Sequence, residues 1–245
     1  MRVLVTRPQE DALETAARLT ALGHDAVIAP LLEIRFLDGD EVALGGVQAI
    51  LATSANGVRA TARRTARRDV ALFAVGRQSA EVARAAGFRD VRSADGDGAA
   101  LAQATMRWAK RDGGTLLHVA GGETEGALRA TLAKEGFAVR GAMLYEAVAA
   151  ETLPPAAADA LRAQTLDAAL FFSPRSARIF ADLVRHAGLA DSCGAVVAAA
   201  ISEAAAKALG GLDFAAIRVA ARPDQDALLT LLDPAASCWQ PPPRL

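Results

Sequence analysis

The sequence runs to 245 residues, 52% of them hydrophobic, and sets 27 basic residues against 28 acidic ones for a net charge of −1. That length suits one large domain or two of about 100 to 150 residues, each able to bury a core. A near-neutral balance argues against a general nucleic-acid surface, and no run approaches the roughly 18 apolar residues of a membrane span, so a soluble protein with neither partner is expected.

The opening MRVLVTRPQ reads as a strand followed by charges, without the basic, apolar and small-residue regions of a secretory leader. A cytoplasmic location is the expectation. Of the two cysteines, Cys238 falls in a tail that ends Pro241-Pro242-Pro243 and is expected to lack fixed structure, so free thiols are favoured over a bridge. His24, His118 and His186 stand far apart with no ligand spacing, and no metal site is expected.

In chain order, residues 3–5 form a short apolar strand of the kind buried in a parallel sheet, and Thr6-Arg7-Pro8 turns into a helix over 10–22. Arg7 falls where strand carboxyl ends open into a crevice, which makes it a candidate ligand contact or a solvated turn residue. Residues 26–32 read as the next strand and 33–40 as a connector. A strand over 47–52 closes on Thr53-Ser54-Ala55-Asn56-Gly57, whose hydroxyls and amide suit an N-cap and a turn. The helix that follows is predicted to reach Arg68, aligning Arg59, Arg63 and Arg67 at i, i+4 and i+8 on a solvated face or, alternatively, one that steers a polyanion.

Residues 72–75 are the next strand, and Arg77-Gln78-Ser79 opens a helix whose first amides suit an anion. A short strand at Val91 follows, then Asp95-Gly96-Asp97-Gly98 as turn and cap for a helix over 99–110, since it lacks calcium-loop spacing. Residues 116–119 are a strand and Gly121-Gly122-Glu123 a turn, with a helix stopping at Gly136 and a strand reaching Tyr145, the chain's one tyrosine. Later come the linker 152–155, a helix to 163, the strand 168–172, and Ser173-Pro174-Arg175-Ser176 as another cap.

Two repeats run through this order. The helix-ending glycines lie 136 − 23 = 113 apart, and the same shift carries Glu10 onto Glu123 and Glu33 onto Glu146. A second spacing, 173 − 54 = 119, carries one serine turn onto the other. The chain is therefore an A-B-A-B tandem of strand–helix units, which argues parallel sheets with helices on both faces. By itself the repeat suggests a cut near Gly113. No G-x-G-x-x-G or G-x-x-x-x-G-K-[ST] pattern follows a strand, so neither a dinucleotide nor a nucleotide triphosphate cradle is expected.

Taken together, VLVTRP (3–8), TSANGV (53–58), AVGRQSA (74–80), LYE (144–146) and FFSPRSA (171–177) resemble the uroporphyrinogen-III synthase family. The resemblance covers about residues 1–232. It implies an α/β fold of two lobes, each a parallel sheet flanked by helices, joined by a pair of extended connector strands. The first lobe would be 1–33 plus 149–245, the second 38–143, and the connectors 34–37 and 144–148. It implies a lyase, without cofactor, that dehydrates the linear tetrapyrrole hydroxymethylbilane, inverts its terminal pyrrole ring and closes the macrocycle. Its partners would be that substrate and the enzyme that makes it, and the chain is expected to be a monomer.

The same resemblance puts Tyr145 at the family's cleft tyrosine, where a phenol can donate a proton to the departing hydroxyl; a tyrosine packed at a hinge is the alternative. Ser79 fits the family's V-G-x-x-[ST]-A pattern. Ala147 and Ala205 replace hydroxyl residues that the family carries. Arg7, Ser54, Asn56, Ser79, Ser173 and Ser176 are the expected substrate contacts, because a near-neutral chain must hold eight carboxylates with helix N-termini and a few arginines. The competing class is a non-catalytic module on the same fold that senses a polyanion or tetrapyrrole; a periplasmic-type anion binder is a third, disfavoured by the missing leader.

Overall fold

The structure is a computed structural model that describes residues 1–122 and 126–233. The chain divides into two compact units, Met1–Glu33 with Val148–Leu245, and Ile34–Ala147.

The first unit opens with β1 (Arg2–Val5), α1 (Gln9–Ala21) and β2 (Asp25–Ile28). The chain crosses into the second unit within β3 (Leu32–Phe36). That unit runs β4 (Val47–Ala52), α2 (Ala55–Arg64), β5 (Ala71–Ala74), α3 (Arg77–Ala85), β6 (Val91–Ser93) and α4 (Gly98–Trp108). It continues with β7 (Thr115–Ala120), α5 (Gly126–Lys134) and β8 (Val139–Met143). The chain returns within β9 (Tyr145–Ala149) and completes the first unit with α6 (Pro155–Arg162), β10 (Ala168–Phe171), α7 (Pro174–His186), a 3₁₀ turn, β11 (Val197–Ala200), α8 (Glu203–Lys207), β12 (Ala216–Val219) and α9 (Gln225–Thr230).

The first unit's sheet has the order β12-β11-β10-β1-β2 and the second's β6-β5-β4-β7-β8, with neighbouring strands parallel in both. Strand alternation explains why both faces of each sheet are apolar. Leu4, Ala169 and Ala198 face a core shared with α6 and α7, while Val3, Val5, Leu170 and Val197 face α1 and α9. In the second unit Ile50, Leu72 and Leu117 pack on α2 and α3, and Leu51, Phe73 and Leu116 on α4 and α5. Sheets buried on both sides need continuous apolar strands, and β10 (AALF) and β11 (VAAA) are such runs. Many core positions are alanine, which lets helices lie close to the sheet; Ala52, Ala60, Ala74, Ala80 and Ala83 are fully buried.

Gly23 and Gly136, the paired helix stops, have φ of +78° and +85°, a left-handed turn that any Cβ would penalise. The strand expected over 26–32 is split. β2 ends at Ile28 because its partner β1 ends opposite it at Val5, and β3 begins at Leu32; the N–H groups of Ala29 and Leu31, on either side of Pro30, still donate to Val5 and Thr6 at 3.0 and 3.2 Å. β3 and β9 form a separate two-stranded sheet. Its flanking bonds join Ala150 N–H to Leu31 and Leu37 N–H to Leu144 at 3.0 and 2.9 Å, so the two strands run in opposite directions.

The helix expected to reach Arg68 stops at Arg64, because Thr65 turns extended with φ −157° and ψ 145°. Arg68 satisfies the freed end instead, donating to the carbonyls of Ala62 and Thr65 at 3.0 and 2.6 Å. Arg67 therefore lies off the helix, paired with Asp69 at 2.8 Å, and the three-arginine stripe does not form. Arg63 stacks on Phe36 with its guanidinium carbon 4.0 Å from the ring centroid. Among the described residues no helix is long and apolar enough to cross a membrane. Glu123 and the tail with Cys238 lie outside the described residues. Cys193 is a buried free thiol.

Candidate active site

Both sheet orders contain one place where the chain's direction of travel across the sheet reverses. In the second unit it lies between β4 and β7, since β5 and β6 extend one way from β4 and β8 the other. In the first unit it lies between β10 and β1. Loops leaving the carboxyl ends of such neighbouring strands part to opposite faces and open a crevice, the usual ligand position in open α/β sheets.

In the second unit the crevice loops begin at Thr53 after β4 and Gly121 after β7, strands held in register by Ala52 opposite Val119. Ser54 is the N-cap of α2: its Oγ accepts the Gly57 N–H at 3.1 Å. The same Oγ lies 2.7 Å from the Tyr145 hydroxyl. Tyr145 is 5% exposed and belongs to the core formed with α2 and α3. Gly121 presses on its ring, so closely that a Cβ there would overlap Cε2 and Cζ and fall 2.8 Å from the hydroxyl oxygen. Asn56, in the first turn of α2, accepts from Arg59 Nη1 at 2.8 Å. Ser79 is buried in the first turn of α3, whose N-cap, Gly76, offers no side-chain cap.

The first unit fills its crevice differently. Arg7, on the loop after β1, is 6% exposed. Its Nη2 lies 3.5 Å from Asp11 Oδ2, its Nη1 donates to Gln225 Oε1 at 2.6 Å, and its guanidinium carbon sits 4.2 Å from the centroid of Phe172. On the loop after β10, Ser173 caps α7 by accepting the Ser176 N–H at 3.1 Å, and the two hydroxyls lie 2.9 Å apart. Ser202 caps α8 in the same way through Ala205 N–H at 3.3 Å, so at Ala205 only the backbone serves.

Of the residues predicted from sequence, Ser54 and Tyr145 are in direct contact, Asn56 and Ser79 lie on the flanking helices of the same unit, and Arg7, Ser173 and Ser176 share the other unit. Sequence reasoning missed Gly121 as the wall of the tyrosine slot, although a Gly-Gly pair directly after a strand signalled close backbone approach. It also missed Asp11, which stands at i+4 from Arg7, and Gln225.

Fold and site together define a doubly wound α/β protein of two units, with polar groups gathered at both sheet-reversal points. The family model HEM4, uroporphyrinogen-III synthase HemD, matches residues 14–230. Among solved structures, uroporphyrinogen-III synthetase from Helicobacter pylori aligns with a TM-score of 0.62 at 15% identity, covering 95% of this chain and 98% of that one. A mutant uroporphyrinogen III synthase from Thermus thermophilus aligns with a TM-score of 0.49 at 19% identity over 95% of this chain and 97% of that one. No curated protein gives a significant match. The chain belongs to the uroporphyrinogen-III synthase family.

Proposed function

We propose that this protein dehydrates hydroxymethylbilane, inverts its terminal pyrrole ring and cyclises it to the type III macrocycle. The observation that carries this reading is the phenol of Tyr145, held by Ser54 at the reversal point of the second unit's sheet in a chain of this family. Tyr145 gives its proton to the departing hydroxyl, so the C–O bond breaks, water leaves and the cation is spread over the pyrroles. Rearomatisation after ring closure releases one proton, which restores the phenol, and the reaction balances as loss of water with no cofactor. A phenol stays protonated at neutral pH and is a competent donor there.

The substrate's carboxylates meet helix N-termini and backbone amides rather than a cationic surface, in keeping with the net charge of −1. The open start of α3 beside Ser79, the first turn of α2 at Ser54 and Asn56, and the Ser173–Ser176 turn are the proposed contacts. Arg7, buried against Asp11 and Gln225, is a further proposed contact. Incubating the protein with freshly made hydroxymethylbilane and resolving the isomers tests the reading: type III product at a rate unchanged by chelator is expected. Type I product alone contradicts it.

A further inference from the structure

We infer that Ser54 is a positioning residue that donates a hydrogen bond to Tyr145 and makes its phenol a stronger acid, with Gly121 as the wall that keeps the two in register. The inference rests on the reading of Tyr145 as proton donor. A serine hydroxyl has one hydrogen to give and two lone pairs to offer. One lone pair of Ser54 takes the Gly57 N–H at 3.1 Å, in the first turn of α2 where the helix dipole is positive. Among the described residues the other hydrogen-bond neighbour of its Oγ is the Tyr145 hydroxyl, at 2.7 Å. Either hydroxyl can donate across this 2.7 Å contact; in the arrangement we infer, the serine hydrogen goes to the phenol oxygen and leaves the phenol's own proton for the substrate. A bond donated to that oxygen strengthens as negative charge develops on it, so it favours the phenolate and eases proton transfer.

Gly121 supplies the second, independent constraint. It leaves β7 beside the strand that leads to Ser54, and a Cβ there would overlap Cε2 and Cζ of the ring. Any side chain at this position pushes the phenol off Ser54. The slot therefore demands a glycine on one strand and a hydroxyl on its neighbour. Ser173 has the same cap in the first unit but turns its hydroxyl to Ser176, so it serves no such purpose there.

The chain has one tyrosine, so ultraviolet titration of phenolate absorbance reports Tyr145 alone. Ser54→Gly removes the hydroxyl at little cost in capping, because glycine is only slightly inferior to serine at an N-cap. Its expected titration midpoint lies about half a pH unit or more above wild type, and its single-turnover rate on hydroxymethylbilane falls about three- to tenfold. Ser54→Thr restores both. Ser202→Ala, which removes an equivalent cap from the other unit, leaves the midpoint in place. In a Tyr145→Phe background Ser54→Gly slows the reaction no further. A midpoint that stays put or moves down in Ser54→Gly overturns the inference, even if Tyr145→Phe is slow. A wild-type rate in Tyr145→Phe overturns the proton-donor reading instead, while the midpoint shift still tests the Ser54 bond.

Discussion

The two sheets share one strand order, β12-β11-β10-β1-β2 matching β6-β5-β4-β7-β8 element for element, yet their reversal points hold opposite chemistry. In the first unit a charge is sealed: Arg7 lies buried against Asp11, Gln225 and Phe172. In the second a neutral phenol is held against a serine and a glycine. A buried ion pair fixes a loop, since separating the charges in a dry site is costly. A phenol held by a directed hydrogen bond can change its protonation state without leaving a bare charge behind. A duplicated fold thus keeps its strands and caps while the residues at its two crevices diverge into an anchor and a reacting group.

The largest expected effect comes from breaking the anchor. Asp11→Ala leaves the Arg7 cation buried and should destabilise the protein by about 3 kcal/mol; replacing both, as Arg7→Met with Asp11→Leu, should recover most of that. Urea denaturation of the three proteins checks it. If Asp11→Ala unfolds at the wild-type urea concentration, the sealed charge is not an anchor.

Next in size is the wall of the slot. Gly121→Ala places a Cβ inside the Tyr145 ring edge and should cost about 1 to 3 kcal/mol through overpacking. Gly126→Ala, with nothing among the described residues within 4 Å of its Cβ, should be neutral or slightly stabilising. Equal thermal shifts for the two variants would mean that the slot yields and the phenol is not clamped.

The smallest effect concerns a thiol in the first unit. Burial pushes Cys193 up to about 11 from an ordinary value of 9.0. A thiol raised on folding contributes stability that is full below about pH 9 and is lost as pH climbs through 11. Melting wild type and Cys193→Ala side by side should show their difference shrinking over that range. A constant difference would contradict the buried-thiol assignment.

Much of this architecture was legible because local signals agreed with one another. The strand at 47–52, the caps at Ser54, Asp97 and Ser173 and the paired glycine stops follow from apolar runs, hydroxyl or carboxylate caps and positive-φ positions. The end of α2 was not legible: arginine is a good helix former, and nothing local says that Arg68 will fold back onto the carbonyls of Ala62 and Thr65. Nor was the break between β2 and β3, since it comes where the partner strand β1 ends at Val5. At the site, Ser54 and Tyr145 stand 91 residues apart, and their contact depends on β4 and β7 being neighbours, a tertiary fact no window of sequence contains. For Arg7 the crevice position is visible in the sequence, as a ligand contact or a turn residue, while its burial against Gln225, far along the chain, is not.

The phenol of Tyr145 offers the most direct test. Tyr145→Phe keeps the ring's packing against Gly121 and removes only the hydroxyl, so fold and substrate binding should persist while single-turnover conversion of hydroxymethylbilane slows. A positioned acid contributes about 10²- to 10⁴-fold in general, and the bilane hydroxyl departs readily even in water, so a loss of about 10- to 100-fold is predicted. Wild-type rate and wild-type yield of the type III isomer in Tyr145→Phe would contradict it.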